Sequence, residues 1–155
     1  MAGPFSPRFE NSEEACPKFW QWARLDTIES IELNYAIPGT ENATSSFGHL
    51  YLRVIYRESL GYHAMGHSRV LTYWAMTNPR DEGTLLYTLG GLFGAFRASL
   101  HSEPFAGTYE SYVVQEERDI LRWTLNLNAA ERQRLLERVW TSQQTAEYPY
   151  FFLQQ

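Results

Sequence analysis

A chain of 155 residues is long enough for one domain with a real core and too short for two ordinary ones. Its hydrophobic content of 44% and aromatic content of 15% exclude a disordered chain, because burying such side chains offsets the entropy of ordering. The formal net charge of −5 leaves no polybasic footprint for nucleic acid, and no apolar run approaches the roughly 18 residues that span a bilayer.

Residues 1–27 read as a polar lead-in followed by a short helix, and residues 28–155 as the domain proper. The opening MAGPFSPRFENSEEACPKF has neither the basic start nor the apolar stretch of a secretory signal. Pro17 suits the first turn of a helix through Ala23, with Cys16 near its cap. In TIESIELNYAI, Ile31, Leu33, Tyr35 and Ile37 alternate with Glu32, Asn34 and Ala36, which predicts a strand. PGTENATSS is a loop by its composition.

SSFGHLYLRV alternates again and predicts a strand reaching Tyr56. Leu50, Leu52 and Val54 turn towards a core, and Phe47, His49, Tyr51 and Arg53 share the other face. A connection, ESLGYHAMGHS, leads to VLTYWAM, a further strand by residue type. The segment LLYTLGGLFGAFRASLHSEPF is broken by Gly90, Gly91 and Gly94 and is compatible with strand, turn and flap. TYESYVVQ and DILRWTLNL both look extended, the second with Leu121, Trp123, Leu125 and Leu127 on one face. The clearest helix runs from Asn128 to Gln143: Asn128 and Glu131 match a capping box, and Leu135, Leu136, Val139 and Trp140 form its buried stripe. The tail YPYFFLQQ is expected in the core, although an acyl-chain groove would use the same residues.

Among residues that could carry chemistry, His49 stands first, since a histidine held on a strand can act as a general base near neutral pH. The plainer reading of so short a marker is a histidine hydrogen-bonded to a neighbouring element. His63 and His67 have the i, i+4 spacing of helical metal ligands, but Gly61 and Gly66 weaken a helix and no further ligands lie nearby. A solvent-facing loop, with no metal site, is expected there. His101 gives no signal. Cys16 alone excludes a disulfide framework; it suits a small buried hydrophobe better than a thiolate paired with His49. The glycines of GGLFG lack the Lys-Ser/Thr partner of a phosphate loop and fit tight turns.

Several segments in order carry a resemblance. SSFGHLYLRV resembles the Ser-x-Phe-Gly-His-x-x-Leu-Arg signature of a bacterial envelope family named for the N-terminal periplasmic domain of the lipoprotein N-acyltransferase Lnb. YTLGGLFGAFRASLHSEPF, Tyr109, Tyr112, Glu117-Arg118-Asp119, LNLNAAERQRLLERVW and YPYFFLQQ are similar to its later segments, so the likeness covers roughly residues 28–155. The resemblance implies an α+β domain with a mainly antiparallel sheet and packed helices, related to permuted papain-like (NlpC-type) thiol enzymes. It implies His49 as base for a cysteine in an Asn-Cys pair that follows the tyrosine-rich run; the sequence ends at Gln155, before that pair.

The expectation is therefore a fragment, inactive by itself. The intact protein would perform Cys–His acyl transfer or hydrolysis on lipoprotein or phospholipid acyl substrates in the periplasm or outer envelope, with no cofactor. A noncatalytic peptide-, lipid- or protein-binding domain and a cell-wall peptide amidase are the alternatives.

Overall fold

Pro17 opens helix α1 (Pro17–Ala23), where its missing N–H removes no intrahelical bond. A computed structural model describes residues 16–40, 48–57, 64–76, 89–145 and 147–150. The Cys16 carbonyl accepts from the amides of Phe19 and Trp20, as expected of the cap position. Arg24 ends α1 in the left-handed conformation, at φ 49°, and its N–H donates to the Trp20 carbonyl.

After one 3-10 turn at Leu25–Thr27 the chain enters β1 (Ile28–Ala36), then β2 (His49–Tyr56), the short α2 (Ala64–His67) and β3 (Arg69–Ala75). Gly94, at φ 70°, turns the chain towards β4 (Phe96–Pro104). Helix α3 (Phe105–Tyr109) runs on in π-helical form through Glu110–Gln115, followed by β5 (Ile120–Thr124), α4 (Ala129–Thr145) and β6 (Glu147–Tyr150). The six strands lie in the order β5-β1-β2-β3-β4-β6, and every pairing is antiparallel. The α+β architecture expected from the sequence is the one observed.

Three local readings differ. TYESYVVQ is helical: Phe105, Thr108 and Tyr112 are buried at helical spacing, and Val114 faces solvent. The connection before β3 contains the one-turn helix α2 ending at His67. Of the tail expected in the core, Tyr148 lies half exposed on the edge strand β6, where Pro149 is tolerated because an edge needs fewer ladder donors; residues 151–155 lie outside the described residues.

The sheet is covered on both faces. On one, Ile31, Val54, Leu71 and Leu100 meet Leu136 and Val139 of α4 and Phe19 and Ala23 of α1. The Trp22 and Trp140 rings, 5.2 Å apart, join the two helices. Fully burying side chains of this size stabilises by about 1.5–3 kcal/mol each. On the other face, Tyr51, Val70 and Ala36 pack under Phe105 and Tyr112.

The expected core face of β2 holds at Val54, which is fully buried, and at Leu52, which packs on the same cluster, but not at Leu50, which is 49% exposed; the opposite face is covered as well, with Tyr51 2% exposed. Helix α4 leaves the Leu50 end of the sheet uncovered, and a groove of about 340 Å³ there is lined by Leu33, Leu50, Leu52, Leu71, Leu100 and Val139.

The capping box at α4 is closed in both directions: the Asn128 amide donates to Glu131 Oε2 at 2.9 Å, and the Glu131 amide to Asn128 Oδ1 at 3.0 Å. Replacing Asn128 by Ala should lower stability by about 1 kcal/mol, read from the urea midpoint with the slope unchanged.

Candidate active site around His49

His49 is the first residue of β2 and lies in register with Ala36 of β1. This pairing with β1 gives its ring a fixed origin. Its Nε2 is 2.5 Å from Oγ1 of Thr72, a buried residue of β3. Three aromatic rings surround the imidazole: Tyr112 at 5.8 Å, and Tyr51 and Trp74 each at 6.2 Å between centroids. The Tyr51 ring is nearly parallel to it, at 26°.

Each wall residue has a structural origin. Thr72 and Trp74 alternate on β3 and so share a face. Tyr112 comes from the π-helical turn, whose wider winding is frequent at functional sites. Arg118 locks that turn in place. Its amide donates to the Tyr112 carbonyl at 2.8 Å, and its guanidinium lies 4.8 Å from the Tyr112 ring centroid. The same guanidinium donates to the carbonyls of Ile37 and Ala36, at 2.6 and 3.0 Å, and meets Glu116 Oε2 at 2.9 Å.

Gly48 has a steric reason. A Cβ there would overlap the Tyr35 ring, which lies against the backbone just ahead of His49. The glycine in the Phe-Gly-His motif is thus the close-approach point that lets β1 cover the start of β2.

Behind His49 the same sheet face is polar and buried. Glu32 pairs in register with Arg53, their charged atoms 3.9 Å apart, and Arg53 Nε donates to Ser68 Oγ at 3.0 Å. The Arg53 guanidinium stacks 3.7 Å from the Phe105 ring centroid. Glu32 Oε2, Asn34 Nδ2 and the Tyr51 hydroxyl are buried and make no hydrogen bond. The 3.9 Å pair is therefore a Coulomb contact only. Burial pushes the Tyr51 phenol up to about 12, against the opposing pull of Arg53, with Glu32 adding to the rise. Burial also raises the Tyr112 phenol and lowers the Arg53 guanidinium. Both tyrosines facing His49 thus stay neutral at ordinary pH.

Of the sequence candidates, only His49 stands within this box of aromatic rings. Cys16 packs against the Phe19–Leu136 cluster on the opposite face of the sheet, so it forms no dyad with His49. His67 is exposed at the end of α2, and His63 lies outside the described residues. Among the described residues no three His, Cys, Asp or Glu side chains gather to hold a metal. His101 is exposed on β4, in register with Thr72, and its Nε2 lies 2.7 Å from Ser99 Oγ. Sequence reasoning missed Thr72 and Tyr112. The signal for Thr72 was a hydroxyl set between Val70 and Trp74 on one strand face; the signal for Tyr112 was the helical spacing from Phe105.

A family model described as the Lnb N-terminal periplasmic domain matches residues 18–155. No curated protein and no solved structure matches the chain. The matched region contains the whole aromatic box and the Arg118 clamp.

Two substitutions test this geometry. Gly48→Ala should cost about 1–3 kcal/mol by overpacking, and Tyr35→Ala in the same chain should recover part of the loss, measured as a double-mutant cycle. Tyr51→Phe removes a buried hydroxyl without a partner and should leave stability at pH 7 unchanged or higher. In the native chain the Tyr51 phenol rises from 10.0 to about 12, so the folded state holds that proton more tightly. This contribution is complete below pH 10 and is lost as pH climbs towards about 12. Denaturation curves across that window should fall less steeply for Tyr51→Phe.

Proposed function

The chain belongs to the Lnb N-terminal periplasmic domain family, and from that membership we propose that His49 is the general base of a thiol-dependent site acting on acyl groups of lipoproteins or phospholipids. The family description gives a periplasmic location. The observation that supports the reading best is the contact between His49 Nε2 and Thr72 Oγ1 inside the aromatic box. A histidine hydrogen-bonded to a neighbouring strand for structure alone would make the same contact, so the base role rests on the family membership, and the contact supplies the fixed ring that role needs.

In this proposal Nε2–H donates to Thr72 Oγ1, which makes Nδ1 the atom that takes the proton of the attacking thiol. The thiol belongs to the Asn-Cys pair that the family resemblance sets after the tyrosine-rich tail. Its sulfur bonds to the acyl carbon, and the leaving group departs with the proton that His49 returns from Nδ1. Water or an acceptor amine then attacks the thioester, His49 takes the proton of the attacking group, and the thiol is regenerated. The aromatic walls restrict ring rotation, while Thr72 acts as a positioning residue.

Reading the gene past the codon for Gln155 should find Asn-Cys. The full-length gene product should then be labelled at that cysteine by an acyl-bearing thiol electrophile. His49→Ala, shown folded by circular dichroism, should slow labelling by about 10²–10⁴-fold. Thr72→Val should give an intermediate rate and displace its pH profile, since the ring loses its anchor but keeps its base. Undiminished labelling of His49→Ala ends the base role, and a gene product that never labels supports a noncatalytic binding domain.

A further inference from the structure

The row of side chains that α4 leaves bare on its own face of the sheet is apolar. Leu50 and Leu121 both pair in register with Tyr35, one from each side of β1, and Tyr73 pairs with Leu100. Leu50, Tyr73 and Leu121 are each nearly half exposed, and the exposed Tyr148 ring on β6 lies 5.8 Å from that of Tyr73. The strip therefore runs across the sheet from one edge strand to the other, over strands about 4.8 Å apart. Its middle is the groove of about 340 Å³ beside α4.

Two polar side chains of α4 line this groove, Arg138 and Ser142. They stand one helical turn apart, so their Cβ atoms are about 5–6 Å from each other and both can reach one small group. Neither side chain has a hydrogen bond or ion pair with any described residue. Among the described residues the lining holds no carboxylate. Glu137, next to Arg138 in the chain, lies outside the lining and accepts from Gln133 Nε2 at 2.8 Å. The floor below them is aliphatic, with Leu33, Leu52, Leu71 and Val139. An apolar trough with a few convergent polar groups is the usual form of a small-molecule site.

We propose that this groove binds a free fatty acid, its hydrocarbon chain along the leucine floor and its carboxylate against Arg138 and Ser142. The guanidinium fork matches a carboxylate in a bidentate pair, and the serine hydroxyl adds a third donor. A narrow apolar strip laid across several strands suits an extended chain better than a compact ring system. A second copy of the chain fits less well. A two-fold interface is self-complementary, so each copy would bury its Arg138 against a lining without a carboxylate, and an unpaired buried charge is costly. The groove lies on the face covered by α4, whereas the His49 ring lies on the opposite face among Tyr51 and Tyr112. The two sites are separate, and the proposal stands whether or not His49 is a base.

The test uses the whole chain at neutral pH and soluble probes below their micelle-forming concentrations: decanoate, octanoate, acetate and decyltrimethylammonium. Methyl chemical shifts of Leu50, Leu71 and Val139 are followed by NMR titration. Decanoate should give saturable shifts, and octanoate should bind about tenfold more weakly, the loss expected for two buried methylenes. Acetate lacks the chain and decyltrimethylammonium the anionic head, so each should bind at least about tenfold more weakly than decanoate. Arg138→Gln should weaken decanoate binding by about tenfold or more, with Ser142→Ala between it and the native chain. In Arg138→Glu the preference should pass to decyltrimethylammonium. The comparison of head groups on the native chain decides the matter even where a variant fails to fold. A monomer–dimer equilibrium in sedimentation that Leu50→Glu abolishes would put a second copy in the groove and overturn the proposal. The absence of a saturable shift, equal binding of decyltrimethylammonium, or undiminished binding to Arg138→Gln overturns it too.

Discussion

Arg118 is the interaction on which the arrangement around His49 depends. It is buried to 5% exposure and reaches the last carbonyls of β1, at Ala36 and Ile37, from the segment that leads into β5. Ala36 is the cross-strand partner of His49, so this clamp fixes the backbone directly opposite the imidazole. The same residue closes the π-helical turn through its amide and lies over the Tyr112 ring. One side chain thus ties the end of β1, the π-helical turn and the segment that leads into β5. Removing a partner from a buried, hydrogen-bonded charge typically costs about 3–5 kcal/mol. Here Glu116 and two carbonyls share the compensation, which is why a full guanidinium is tolerated at that depth.

The two faces of the sheet use different physics. Towards α4 the contacts are apolar and follow the usual area-dependent stabilisation. Towards α3 the strands present Glu32, Asn34, Tyr51 and Arg53, and the cover is aromatic: Phe105 lies on the Arg53 guanidinium and Tyr112 on Tyr51 and His49. A buried polar layer with three unbonded atoms is costly in itself, since each unmade hydrogen bond carries a desolvation penalty. Such layers persist where they define a unique arrangement or serve a site. This one begins two residues from His49 on the same strand face, which connects the cost to the aromatic box.

Much of this was legible in the sequence. The period-two pattern of β1 and β2, the Pro17 start of α1 and the Asn128–Glu131 box are local signals, and the structure follows them closely. What was not legible depended on tertiary cover. Alternation in β2 shows that two faces differ, but it cannot say that an aromatic helix will bury the polar one; hence Tyr51 is buried although Leu50 is half exposed. TYESYVVQ reads as extended because of its tyrosines and valines, yet the helical phase of Phe105, Thr108 and Tyr112 prevailed once those residues could dock on the sheet. Thr72 was hidden for a similar reason. Its strand was recognisable, but its pairing with His49 follows from the alignment of β2 and β3, which begins at Leu52 and Leu71.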